Sequence, residues 1–171
     1  DHKFATIIDM ILSNSQAGLI DINLNQKQKV LRAGSYAYFM RDYGIHNFYG
    51  QPREGQTLEE VKDLLLEQLE KIKAGDFEDW MIQAVINDMR LSEIRRDESN
   101  FARAYGYIDV FIKDKPYADK LSFIDELEKI TKQDIMDFAT EKYHDNYVVV
   151  YKRTGENKDL VKVEKPTITP I

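Results

Sequence analysis

Apolar residues recur along this chain at two different periods, and the switches between them mark out its elements. Phe4, Ile7, Ile8, Ile11 and Leu12 fall at helical spacing, which predicts a first helix ending near Leu12. Ser13-Asn-Ser-Gln-Ala-Gly18 breaks it. Leu19-Ile-Asp-Ile-Asn-Leu-Asn25 alternates and predicts a strand on pattern, with a short helix as the alternative. Lys29 to Met40 is a better strand. Val30, Tyr36, Tyr38 and Met40 face one way, and Leu31, Ala33, Ala37 and Phe39 the other. Two apolar faces predict a central strand. Arg41-Asp42-Tyr43-Gly44 supplies a turn, and Ile45 to Tyr49 returns as an antiparallel second strand.

Beyond Gly50-Gln-Pro-Arg-Glu-Gly55 the period becomes helical. Thr57-Leu-Glu-Glu60 is a capping box, in which hydroxyl and carboxylate each take a free amide of the first turn. Leu58, Val61, Leu65, Leu69 and Ile72 form the buried stripe, and Gly75 stands where a left-handed cap belongs. Asp76 is the expected cap of the next helix, with Phe77, Trp80, Met81, Ala84 and Val85 on one face. That helix continues past Met89 into Arg95-Arg96. Ser99-Asn100 starts another, which runs through Tyr107 and Phe111 to a stop at Lys115-Pro116. Ser122 and Thr131 head two more, the last with Ile135, Met136, Ala139 and Tyr143 as its stripe. Tyr147-Val-Val-Val-Tyr151 is β-branched and aromatic, a strong strand signal that Thr154-Gly155 ends.

This order predicts an α+β fold: a mixed or antiparallel sheet with several helices packed on one face. The sheet is thin for the helix content, so an N-terminal strand is expected to be missing. Residues 1–155 read as a single domain. Residues 156–171, charged and carrying two prolines, read as an interdomain linker, which makes the chain a fragment of something longer.

Composition narrows the function. Hydrophobic residues are 43% and charged residues 32%, too apolar for disorder. The net charge of −6 argues against general nucleic-acid binding. With no cysteine there is neither disulfide nor thiolate chemistry. No apolar stretch approaches the ~20 residues that span a bilayer.

No catalytic, cofactor-binding or metal-binding residue is assigned. His2, His46 and His144 are not spaced for a shared metal, and neither His-Glu-x-x-His nor His-x-x-Glu-His occurs. Ala33-Gly34-Ser35 lies mid-strand, where a small residue permits close packing. Glu59, Glu60, Glu67 and Glu70 read as a solvated helix face, with Glu67 and Lys71 at favourable spacing. Arg90, Arg95, Arg96 and Arg103 read as ion-paired with acidic neighbours such as Glu93, Asp97 and Glu98, or as an anion- or peptide-binding patch. Tyr36, Tyr38 and Phe48 read as core packing under helices, or as the lining of a peptide groove.

Three stretches carry a resemblance. Ile11 to Asp21 looks like a helix–loop–Gly-Leu–helix passage ahead of a long strand, and Phe77 to Asn100 like the long helix after paired strands. Ile130-Thr-Lys-Gln-Asp to Tyr143, followed by Asp145 to Tyr151, is the most specific: Thr-x-x-Asp, helix, Tyr, then strand. Together they resemble a non-catalytic domain, the second, of the insulinase/pitrilysin (inverzincin) family of zinc metallopeptidases. The tail Lys165-Pro-Thr-Ile-Thr-Pro170 is similar to linkers joining the halves of large bacterial members.

That resemblance implies a domain like those of the mitochondrial processing peptidase. It implies packing against a zinc-bearing catalytic domain and the C-terminal half of the same polypeptide, and a peptide substrate held in a shared chamber. Zinc is expected in the catalytic domain of the parent protein and no cofactor in this chain. A bacterial periplasmic or cell-envelope setting is implied as well. The family's substrate-assisting Arg and Tyr fall, in a gapless reading, on Asn25 and Arg32, so neither role carries over. The alternatives are an inactive homologue acting as a scaffold or interaction subunit, and an unrelated adaptor sharing the layout. Long helices crossing one face of an antiparallel sheet are required for the family reading.

Overall fold

The structure is a computed structural model that describes residues 1–155 and Val161. In chain order the elements are α1 (His2–Leu12), a π-helix (Asp21–Gln26), β1 (Arg32–Phe39), β2 (Gly44–Gln51), α2 (Leu58–Ala74), α3 (Trp80–Asp97), α4 (Asn100–Ile112), α5 (Tyr117–Leu121), α6 (Phe123–Leu127) and α7 (Lys132–Lys142). It is an α+β arrangement in which β1 and β2 form a two-stranded antiparallel sheet. The interdomain linker expected at 156–171 lies outside the described residues, apart from Val161.

The core lies between the hairpin and the helices. Ile7, Ile8, Ile11 and Leu12 of α1 are buried with Ile20, Leu24, Leu65, Leu69, Ile72, Val85, Leu127 and Ile135. On the hairpin, Ala33, His46 and Phe48 turn towards the helices, while Tyr36, Tyr38, Ile45 and Tyr49 turn away. Gly50 makes the contact possible: a Cβ there would lie 2.3 Å from Val61 Cγ1, so its absence lets α2 sit directly on β2.

Local signals hold where capping chemistry is explicit. Thr57 and Glu60 close their box in both directions, and Thr131 and Asp134 form a second. Gly75 adopts φ 69°, and the Ser99 hydroxyl accepts the Ala102 amide. Asp76, in contrast, caps nothing. It pairs with Lys71 at 2.7 Å, drawing that lysine away from the expected partner Glu67, and α3 starts only at Trp80. Trp80 and Ala84 point outwards although Phe77, Met81 and Val85 are buried. The short α5, entered through Pro116, is an element that the helical period did not reveal.

Three strand expectations are corrected. Leu19–Asn25 is helical, because the buried Asp21 carboxylate accepts the amides of Asn14 (2.9 Å) and Gly18 (3.2 Å) and so caps a turn. Ile20 and Leu24, four apart, are then both fully buried while Ile22 is exposed, whereas a strand would have put all three on one face. β1 is not a central strand among the described residues, since β2 is its one neighbour there. Tyr147–Tyr151 forms no strand. Val148 and Val150 are almost fully exposed and Tyr151 is half-buried, so the alternation is present, but among the described residues no backbone bonds to it in a ladder.

Candidate functional site

β1 pairs with β2 on one side, and side chains close its other side. Asn25 Nδ2 donates to the Ala33 carbonyl and Asn25 Oδ1 accepts the Ala33 amide, both at 2.8 Å. A single amide thereby copies what a neighbouring strand would offer. Further along, Asp9 Oδ2 accepts the Ala37 amide at 3.2 Å. These bonds show that odd-numbered β1 positions turn their backbone groups away from β2. Opposite residues in an antiparallel pair share this orientation, so His46, Phe48 and Gly50 turn theirs outwards from β2. Among the described residues no further backbone partner meets them there. The free edge of this sheet is therefore the β2 edge.

The face turned away from the helices is aromatic. Tyr36, Tyr38, Tyr43, Tyr49, Met40 and Ile45 are all exposed on the hairpin. Gly34 lets the Tyr49 ring lie across β1, where the Arg32 guanidinium stands 5.7 Å from the ring centre. Tyr36 and Tyr38 are thus not core packing, and Phe48 is separated from them: it lies on the helix side, against the core. Asn47, opposite Tyr36 in the register, has a buried Nδ2 with no hydrogen-bond partner among the described residues.

Beneath the hairpin lies a buried polar network. His46, whose side chain is 7% exposed, bonds Tyr143 Oη through Nδ1 (2.7 Å) and Asp9 Oδ1 through Nε2 (3.1 Å). Asp9 Oδ1 also accepts the Ser35 hydroxyl at 2.7 Å. In the tautomer with its proton on Nε2, that nitrogen donates to Asp9 and Nδ1 accepts from the Tyr143 hydroxyl. Burial first, then the charge of Asp9, holds the Tyr143 phenol well above its ordinary pKa. Ser35, His46 and Asp9 are the residue types of a hydrolytic triad, but the connectivity is wrong. Ser35 donates to Asp9 rather than to His46, so the imidazole does not face the hydroxyl. The network is a cross-link joining α1, the hairpin and the end of α7.

The other candidate groups stand as separate surface features. Arg90 pairs with Glu128 (2.7 Å) and Asp125, and Arg96 with Glu93 and Asp97, while Arg103 donates to the Asp97 carbonyl and to Asn100. Glu59 meets Arg153, Glu60 serves the cap and Glu70 meets Lys73. His2 packs between Phe39 and Phe123, with ring centres at 4.1 and 5.0 Å, and His144 is exposed beyond α7. No three His, Asp or Glu side chains converge to hold a metal among the described residues. No described helix is long and apolar enough to cross a membrane.

No protein-family model matches the chain, and no curated protein matches it. Among solved structures it is similar to a protease from Helicobacter pylori, at 16% identity with a TM-score of 0.74. The match covers 82% of this chain and 35% of that one, so the chain spans about a third of the protein it resembles. At that identity the likeness is one of fold.

Proposed function

We propose that this chain is a non-catalytic domain of a zinc-dependent metalloendopeptidase of the insulinase/pitrilysin type, and that it holds extended peptide substrate while hydrolysis takes place elsewhere. The observation that carries the proposal is the aromatic hairpin face beside the open β2 edge. An added peptide strand would find unpaired amides and carbonyls at His46, Phe48 and Gly50. Its side chains would lie on the aromatic face beside Ile45 and Tyr49 of β2, with Tyr36 and Tyr38 of β1 beyond them. The fold shared with a protease supports a peptide as the ligand. The sequence lacks His-x-x-Glu-His, so the zinc, its bound water and the cleavage belong to a separate domain of the parent protein. Packing against that domain and against the second half of the polypeptide, as part of a chamber wall, completes the reading.

An NMR titration with an extended, uncharged octapeptide tests it. Amide shifts are expected at His46, Phe48 and Gly50, and Tyr36→Ser with Tyr38→Ser should weaken binding about tenfold. Unmoved β2 amides at millimolar peptide would remove the binding role. Cleavage of the peptide, or stoichiometric zinc uptake by the chain alone, would remove the non-catalytic one.

A further inference from the structure

Two free rows of backbone groups flank each other in this domain. One is the outer edge of β2, where His46, Phe48 and Gly50 meet no backbone partner among the described residues. The other is Tyr147–Tyr151, β-branched and aromatic, which makes no backbone hydrogen bond among them either. Both ends of that segment are tied beside β2. Before it, Tyr143 Oη stands 2.7 Å from His46 Nδ1, and Asn146 fixes the intervening turn by donating to the Lys142 carbonyl and accepting the His144 amide. After it, Arg153 bonds Glu59 at 3.1 Å, in the first turn of the helix that follows β2. The segment therefore runs in the same direction as β2, from the level of His46 towards the start of α2. A parallel neighbour needs a long crossover, and α2 to α7 supply one.

The faces match as well. Val148 and Val150 are 89% and 88% exposed, against 39% for Val149 and 50% for Tyr147, and Tyr151 is half-buried. Odd-numbered residues thus turn inwards, to the side on which His46 and Phe48 of β2 meet the helices. Lys62 of α2 senses them. Its ammonium is held above the ordinary lysine pKa by the bond to Asp63 first, and further by Tyr151 and Tyr147, so both tyrosines stand near that helix.

We propose that Tyr147–Tyr151 is a strap that closes the β2 edge by joining it as a parallel third strand, and that strap and peptide exclude one another there. No side chain has to change face; the middle of the segment approaches while its two anchors hold. In a parallel pair, a residue that bonds across the ladder sits opposite one whose own groups point away. The outward groups of β2 belong to His46, Phe48 and Gly50, so the strap residues that bond them are Val148 and Val150. Closure has a physical drive: a two-stranded sheet is marginal alone, and a third strand pairs both free rows at once. The strap depends on no ligand, whereas the exclusion of peptide rests on the peptide-binding role proposed for this edge.

Amide hydrogen exchange followed by NMR on the whole chain provides the test. A strap closed about nine-tenths of the time slows exchange at Phe48 and Gly50, and weakens peptide binding, by the same factor of about ten. The double variant Val148→Pro, Val150→Pro deletes both strap donors without removing a buried side chain. It should speed those two amides about tenfold and tighten binding of the uncharged octapeptide about tenfold. Asn47 and Tyr49, which face β1, should keep their protection and report an intact hairpin. Arg153→Glu, which cuts the far anchor and leaves the strap backbone whole, should act in the same sense by about two- to fivefold. Exchange at Phe48 and Gly50 that these substitutions leave unchanged overturns the strap, whatever the octapeptide does. Faster exchange with unaltered octapeptide affinity overturns the exclusion. Faster exchange with no octapeptide binding to either protein upholds the strap and removes the peptide-binding reading alone.

Discussion

Replacing Tyr143 by Phe isolates one bond of the buried network without changing the packing around it. The hydroxyl stands 2.7 Å from His46 Nδ1, and the other ring nitrogen is committed to Asp9. Its loss leaves Nδ1 without a donor on a side chain that is 7% exposed. An unmet buried acceptor costs about 1–3 kcal/mol, so a loss near 2 kcal/mol is expected. For a domain of this size that corresponds to roughly 4–8 °C in Tm. Urea denaturation followed by circular dichroism measures it, and a double-mutant cycle assigns it. In a His46→Leu background the Tyr143 hydroxyl is itself stranded, so Tyr143→Phe should then cost little or even stabilise. The two single losses should therefore exceed the double by about 1 kcal/mol or more. Losses that add to within ~0.5 kcal/mol would show that the contact does not hold α7 to the hairpin.

Other consequences are equally direct. The raised Tyr143 pKa means that its contribution is intact below the ordinary tyrosine value of ~10 and lost as pH climbs through the folded value. One of the ten tyrosines should thus ionise only with unfolding, visible as a late step in phenolate absorbance. His2 is pulled down from 6.5 to about 4, by burial first and then by Lys115 and Lys113. Its neutral form supports the fold above the unfolded value, and that support fades as pH falls from 6.5 towards 4. His2→Phe should flatten stability across this window, and an unchanged slope in urea titrations would exclude His2 as its source. Gly50→Ala places a methyl group 2.3 Å from Val61 Cγ1 and 3.3 Å from Leu65 Cδ1. Overpacking there should cost about 1–3 kcal/mol; a neutral result by thermal melting would mean that α2 is free to retreat.

What could be read from the sequence was whatever two or three neighbouring residues decide between them. The box at Thr57, the helix start at Thr131, the cap at Gly75 and the hairpin turn needed no distant partner. Failures came where a distant group decides. Leu19–Asn25 alternates like a strand, but Asp21 reaches back to Asn14 and Gly18 and coils it. Tyr147–Tyr151 has strand chemistry, and with no backbone bonded to it among the described residues the pattern stays unexpressed. The Tyr36–Tyr38 face looked like core because periodicity reports that a face is apolar and never what covers it. His46 has no local signature at all: Asp9 and Tyr143 lie 37 and 97 residues away.

The amide of Asn25 has a further effect on how sheets of this protein can extend. By occupying both backbone groups of Ala33, it makes strand addition one-directional: new strands can join beyond β2, while the β1 flank is sealed at this point. With one open flank, copies of this chain can pair only β2 against β2, and that pairing closes both open edges. Asn25→Ala would unseal the second flank at Ala33, with Asp9 still holding the Ala37 amide. Such a chain should gain a route to open-ended assembly, growing into fibrils under conditions where the parent stays in solution, as thioflavin fluorescence would reveal.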